Sequence, residues 1–201
     1  MQSKSVFKTI WFAVLATSGM LILAGCAGQN FVRARPSAFT LGKTMRAEVY
    51  QRVGPHPTSF GVFQAHGKQV RTMTYRYMNN FSKALRPEIT PTKAETFYFV
   101  KDVLVGIDYT DSFKGEGTEF DAKKIKRIKK GQSTKDDVIQ LLGPASGLYA
   151  PPLIPDSSYR ALVYFSKQIS GVKLLSDQKL VVAYDRNGVV TDVKYTASGE
   201  H

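Results

Sequence analysis

The chain has 201 residues, of which 43% are hydrophobic and 22% charged, an ordinary globular balance sufficient for one large or two small domains. Its single cysteine excludes an internal disulfide. A net charge of +12 and a pI near 9.8 favour anionic partners, whether nucleic acid, acidic lipid headgroups or an acidic protein face, and composition does not choose among them.

The N-terminus supplies an address. Lys4 and Lys8 make a basic start, Thr9 to Gly25 is uncharged and mostly apolar, and "LAGC" follows at 23–26. This is the form of a signal peptide over 1–25. The uncharged run is about as long as the shortest membrane-spanning helices, so a retained anchor is the competing reading. The "LAGC" pattern resembles the lipobox of bacterial lipoproteins. That resemblance implies acyl chains such as palmitate on Cys26, removal of the signal and an acylated tether over 26–30. Cys26 read as a buried structural thiol is the alternative. Removing Lys4 and Lys8 lowers the charge from +12 to +10. The next residue is Ala27 rather than Asp. By resemblance to enteric sorting signals, this implies the outer membrane, lipid-anchored on the periplasmic face. DNA and RNA are poor candidates at that address, so no nucleic-acid partner is expected.

A first unit is expected over 31–113. It opens on "FVRARPSAF" at 31–39 and continues with "GKTMRAEVYQRVGP" at 42–55. The phrase recurs 89 residues later as "GQSTKDDVIQLLGP" at 131–144. Gly42, Val49, Gln51, Gly54 and Pro55 align with Gly131, Val138, Gln140, Gly143 and Pro144. Each phrase predicts a short helix. Thr134 with Asp137 has capping-box form, although Ser133, matched by Thr44, could cap instead. Val138, Leu141 and Leu142 share a face, Gly143 suits a left-handed C-cap, and Pro144 stops the helix. Predicted strands follow at 71–78, 96–100 and 104–110. "KGEG" then marks a junction over 114–118.

The second unit is expected over 119–198. It opens on "FDAKKIKRIKK" at 120–130, where Phe120 and Ile128 match Phe31 and Phe39. After the repeated phrase come predicted strands at 159–166, 179–184 and 189–196, the last two joined by "DRNG", a strong hairpin signal. The expected fold class is therefore α+β: two tandem units, each with one or two short helices packed on a three-stranded antiparallel sheet. Ile128, Gly131, Ser133, Val138, Gly143, Pro144 and the 180–195 hairpin, behind a lipobox, resemble the SmpA/OmlA (BamE-like) lipoprotein family. The tandem arrangement is similar to that of β-lactamase inhibitory proteins.

No G-x-S-x-G, H-E-x-x-H or P-loop occurs, and no enzyme, cofactor or metal site is expected. His56 and His66 read as loop residues without metal-ligand spacing, and Asp108 and Asp111 as strand-end acids without a partner carboxylate. Lys123, Lys124, Lys126, Arg127, Lys129 and Lys130 surround Ile125 and Ile128. They form either a solvated helix face or a contact for anionic lipid, lipopolysaccharide or an acidic protein face. "LYAPPLIPD" at 148–156 presents Tyr149, Leu153 and Ile154 on an extended loop, either for a partner or as a lid on the core. The expected role is a non-enzymatic periplasmic scaffold in envelope or β-barrel protein assembly, with an envelope protein such as the barrel-assembly machinery as partner. The alternative is an inhibitor or ligand-binding module that captures an envelope enzyme or an anionic glycan.

Overall fold

The computed structural model describes residues 28–199; the expected signal peptide, Cys26 and the start of the expected tether lie outside them. It corrects the expected fold class. Instead of two α+β units with separate three-stranded sheets, one antiparallel sheet of eight strands runs in sequence order. The strands are β1 (Ser59–Ala65), β2 (Lys68–Met78), β3 (Thr92–Val100), β4 (Val103–Asp111), β5 (Gly147–Tyr149), β6 (Arg160–Ser170), β7 (Lys173–Tyr184) and β8 (Val190–Ser198). Two short α-helices, α1 (Arg46–Val53) and α2 (Lys135–Leu142), accompany them, so the chain is predominantly β. The cause is β5. Its three residues pair with β4 through Gly106↔Tyr149 and Asp108↔Gly147, and with β6 through Tyr149↔Ala161 and Gly147↔Val163. Two separate sheets would leave β4 and β6 with unpaired edges, and β5 satisfies both.

The other unforeseen strand is β1. Its hairpin turns at His66 and Gly67, both at positive φ (45° and 72°), as a two-residue type I′ turn requires. The β7–β8 turn is held by Asp185, whose Oδ1 accepts from the backbone N–H groups of Asn187 and Val189, each at 2.9 Å.

The repeated phrase folds into the same clasp twice. Gly42 N–H donates to Leu104 O and Gly131 N–H to Val190 O, both at 2.8 Å. Leu104 N–H returns to Thr44 O, and Val190 N–H to Ser133 O, at 2.9 Å. Each helix is thus stitched to the start of the last strand of its half. Thr44 and Ser133 are not N-caps; their hydroxyls accept from Thr40 and Lys129 N–H at 2.9 Å. Thr134 caps α2 in a reciprocal box with Asp137, while Met45 opens α1 and offers no side-chain hydrogen bond to it. Val49 and Val138 are fully buried, each worth about 2 kcal/mol. Tyr75 and Tyr164 donate their hydroxyls to Gly54 O (2.5 Å) and Gly143 O (2.9 Å), and burial pushes both phenols up to about 12.

The two glycines depart from the expected left-handed cap. Gly54 (φ 126°, ψ 161°) and Gly143 (φ 85°, ψ −173°) combine positive φ with extended ψ, a region essentially reserved for glycine. Pro55 and Pro144 explain this, because a following proline disfavours helical ψ.

Beneath α1 lies a core that includes Phe39, Val49, Met73, Tyr75, Phe97 and Leu104. Beneath α2 lies another, with Ile128, Val138, Leu162, Tyr164, Leu180 and Val182. A third cluster, of Tyr149, Ile154, Ala161, Val163 and Ala183, covers part of the opposite face of the sheet.

Candidate interaction edge and cleft

The face opposite the helices carries a buried ionic cluster. Asp108, in the middle of β4, is 1% exposed. Its Oδ2 accepts from Lys179 Nζ at 2.9 Å, from the Tyr98 hydroxyl at 2.9 Å and from the Tyr149 hydroxyl. Lys179 Nζ also stands 4.0 Å from the centroid of Phe165. Burial, reinforced by the negative charge of Asp108, raises both tyrosines well above the usual phenol range. Both hydroxyls donate to Asp108, and with the Lys179 ammonium they give one carboxylate three donors.

Two glycines make the cluster possible. In the register, Gly106 stands between Tyr98 and Tyr149, and Gly147 stands opposite Asp108. A Cβ on Gly106 would come within 2.3 Å of Leu153 Cδ1 and 2.8 Å of Tyr149 Cδ1. On Gly147 it would meet Ile107 O at 2.3 Å. Tyr149 can therefore lie across β4 only because both positions lack a side chain.

The 148–156 segment folds over this face. Tyr149 and Ile154 are buried in the third cluster and Leu153 packs against it, so the segment forms a lid on this part of the core. Beside the lid lies a cleft of about 520 Å³, whose walls include Phe63, His66, Leu153, Lys179, Asp192 and Lys194. His66 is in the β1–β2 turn, and its Nδ1 lies 2.7 Å from Pro152 O; a carbonyl only accepts, so Nδ1 carries the proton.

One wall of the cleft is an edge of the sheet. Among the described residues, β1 pairs with β2 on one side alone. Its seven residues, "SFGVFQA", contain no charge and no proline, and Phe60, Val62 and Phe63 are 63%, 62% and 41% exposed. Edge strands of soluble proteins are usually blunted by charge, proline or a bulge. The other edge, β8, has Asp192 and Lys194. Basic side chains flank β1 from the neighbouring strand, with Lys68, Arg71 and Arg76 all exposed on β2.

Within the basic run, residues Ala122–Arg127 form a 3-10 helix, and Ile125 and Ile128 dock the run on the second core, with Lys129 and Lys130 beyond the helix. Lys124 turns inward, and its Nζ donates to Leu141 O at 3.1 Å, satisfying a C-terminal carbonyl of α2. Lys123, Lys126, Arg127, Lys129 and Lys130 remain exposed. His56 lies in the loop between α1 and β1. Among the described residues, no three potential ligands cluster as a metal site, and no helix is long and apolar enough to cross a membrane.

Sequence reading takes Asp108 for a strand-end acid and gives no strand at β1. The alternation of "VLVGIDYTD" places Gly106 and Asp108 on one face, and "AHGK" after "SFGVFQ" carries a turn signal. Nothing local announces Lys179, which needs the pairing of β4 through β7. No protein-family model, curated protein or solved structure matches the chain.

Proposed function

We propose that this protein is a non-enzymatic interaction module of the bacterial envelope, held by an acylated Cys26 at the periplasmic face of the outer membrane. It takes an extended segment of a partner protein onto β1. The observation that carries this reading is the open, uncharged edge strand, whose outer backbone donors and acceptors meet no other strand among the described residues. Strand addition draws affinity from main-chain hydrogen bonds and specificity from pockets for alternate side chains. Here the cleft beside Phe63 is such a pocket, and the lysine and arginines of β2 favour an acidic partner strand. The exposed cations of the 3-10 helix supply a second, weaker contact for anionic surfaces. The proposed partner is an envelope protein such as a component of the barrel-assembly machinery.

Val62→Lys tests the reading. Val62 is mostly exposed, so the change leaves folding within about 0.5 kcal/mol while placing a charge on the edge. Pull-down from detergent-solubilised envelopes should recover barrel-assembly subunits with the parent protein and lose them with the variant. Equal recovery by both proteins contradicts the edge as the docking site.

A further inference from the structure

The most exposed large hydrophobic side chains share one end of the sheet. Val32, Phe81 and Val172 are 89%, 100% and 106% exposed, above every other such residue among those described. β2 ends at Met78 and β3 begins at Thr92, so the segment bearing Phe81 leaves from that end. β6, parallel to β2 in this alternating sheet, ends at Ser170, and Val172 sits in the turn before β7. Thr90 ties the two together: its N–H donates to Ile169 O at 2.8 Å, and its Oγ1 accepts from Gly171 N–H at 2.9 Å. Val32 lines one hollow with Asn79 and Ser82, the flanks of the Phe81 turn. Exposed Lys83, Lys114 and Lys173 stand at the same end, along with the acids Glu88 and Glu116.

The proposed tether arrives there too. Gly28 lies so close to the end of β2 that a Cβ on it would fall 1.9 Å from Arg76 O. Cys26 is two residues earlier, a span of at most about 7 Å of chain. We propose that this end of the sheet rests on the phospholipid bilayer, with Phe81, Val32 and Val172 seated at the boundary between headgroups and acyl chains. The inference rests on acylation of Cys26. Isolated apolar side chains are common on protein surfaces, but three almost fully exposed ones gathered around a membrane tether mark an interaction site. An acyl anchor by itself leaves the body free to tumble. Apolar contacts around the tether fix its attitude, so that the strands stand away from the membrane and β1 faces sideways into the periplasm.

Fluorescence measures this directly, because the only tryptophan, Trp11, lies ahead of Cys26 and is lost with the signal peptide on processing. Phe81→Trp, Val172→Trp and Tyr159→Trp each create a single reporter. The first two substitutions are at fully exposed positions and leave folding unchanged, and Tyr159, just before β6, reports the opposite end. The acylated proteins are purified from envelopes, checked by mass spectrometry for acyl chains on Cys26, and reconstituted into phosphatidylethanolamine–phosphatidylglycerol vesicles. The Phe81→Trp and Val172→Trp proteins should lose most of their emission to lipids brominated high on the acyl chain and resist aqueous acrylamide. The Tyr159→Trp protein should show the reverse. Acylated Phe81→Trp and Val172→Trp proteins that are quenched by acrylamide and not by brominated lipid overturn the placement alone. Absence of acyl chains from Cys26 overturns the anchor, and the placement with it.

Discussion

Asp108 on β4 and Lys194 on β8 occupy matching places in the two halves of the sheet. Asp108 pairs with Thr96, which pairs with Thr74, next to the clasp tyrosine Tyr75; Lys194 pairs with Val181, which pairs with Val163, next to Tyr164. One is 1% exposed and the other lies open on an edge strand. The difference comes from what stands beyond each strand. β5 and the lid cover β4, whereas no strand among the described residues follows β8. Joining the halves thus converts a strand edge into interior and traps a carboxylate there. That carboxylate is satisfied from both sides: Tyr98 belongs to the first half, Tyr149 and Lys179 to the second. The join consumes one free edge from each half and leaves β1 and β8 as the outer strands. Of these, only β8 carries the charges that discourage pairing.

Removing the charge of Asp108 destabilises the protein most. Asp108→Asn keeps an acceptor for the tyrosines but leaves the Lys179 ammonium, only 26% exposed, without its counter-charge. Thermal or denaturant unfolding should show a loss of about 3 kcal/mol. Lys194→Gln, at the matching register position, should stay within about 0.5 kcal/mol. Equal losses would mean that the buried cluster does not join the halves.

A second contrast lies on the helix face. Opposite Tyr75 stands Glu95, whereas opposite Tyr164 stands Leu180. Glu95 is 1% exposed and accepts from Ala34 N–H at 3.1 Å, fastening the N-terminal segment to β3. Burial pushes its carboxyl up to about 7, against the pull of the Ala34 N–H and the Arg33 charge. The folded state therefore holds a proton that the unfolded chain releases near the ordinary carboxylate value of 4.5. Stability is full below that value and falls as pH rises toward 7, by on the order of 3 kcal/mol. Glu95→Gln should match the parent at pH 4, be more stable by a similar margin at pH 8, and lose most of the slope between. An unchanged pH profile in the variant would remove Glu95 as its source.

The fold was partly legible in the sequence. The phrase carrying Gly42, Val49, Gly54 and Pro55, and its copy 89 residues later, marked both clasps, and the six predicted strands overlap β2, β3, β4, β6, β7 and β8. What escaped was decided between the halves. β5 has three residues and runs into prolines, so no period-two pattern can announce it. Asp108 read as a strand-end acid, and its donors Tyr149 and Lys179, 41 and 71 residues away in the chain, were out of local view. β1 was hidden by its glycine and by a histidine in the turn, and its exposed face offers no alternation to read. Within the basic run, the inward turn of Lys124 toward Leu141 depends on where α2 ends, which charge patterning does not specify.

The smallest effect comes from the helix starts, where the clasps differ by one hydroxyl. Thr134→Ala should cost about 1 kcal/mol, and Met45→Thr, which completes the box with Glu48, should gain a similar amount. Chemical denaturation of the two variants reads both values. A loss at Met45→Thr would show that the first clasp is built differently from the second.

Amide hydrogen exchange reads whether a partner strand joins the open edge. The acylated protein is compared free and bound to its partner after pull-down from envelopes. Residues 59–65 of β1 should gain protection on binding, as their unpaired backbone groups enter a ladder with the added strand. Residues 190–198 of β8 should exchange at the same rate in both states. Protection that rises on β8 and leaves β1 unchanged would rule out β1 as the docking edge.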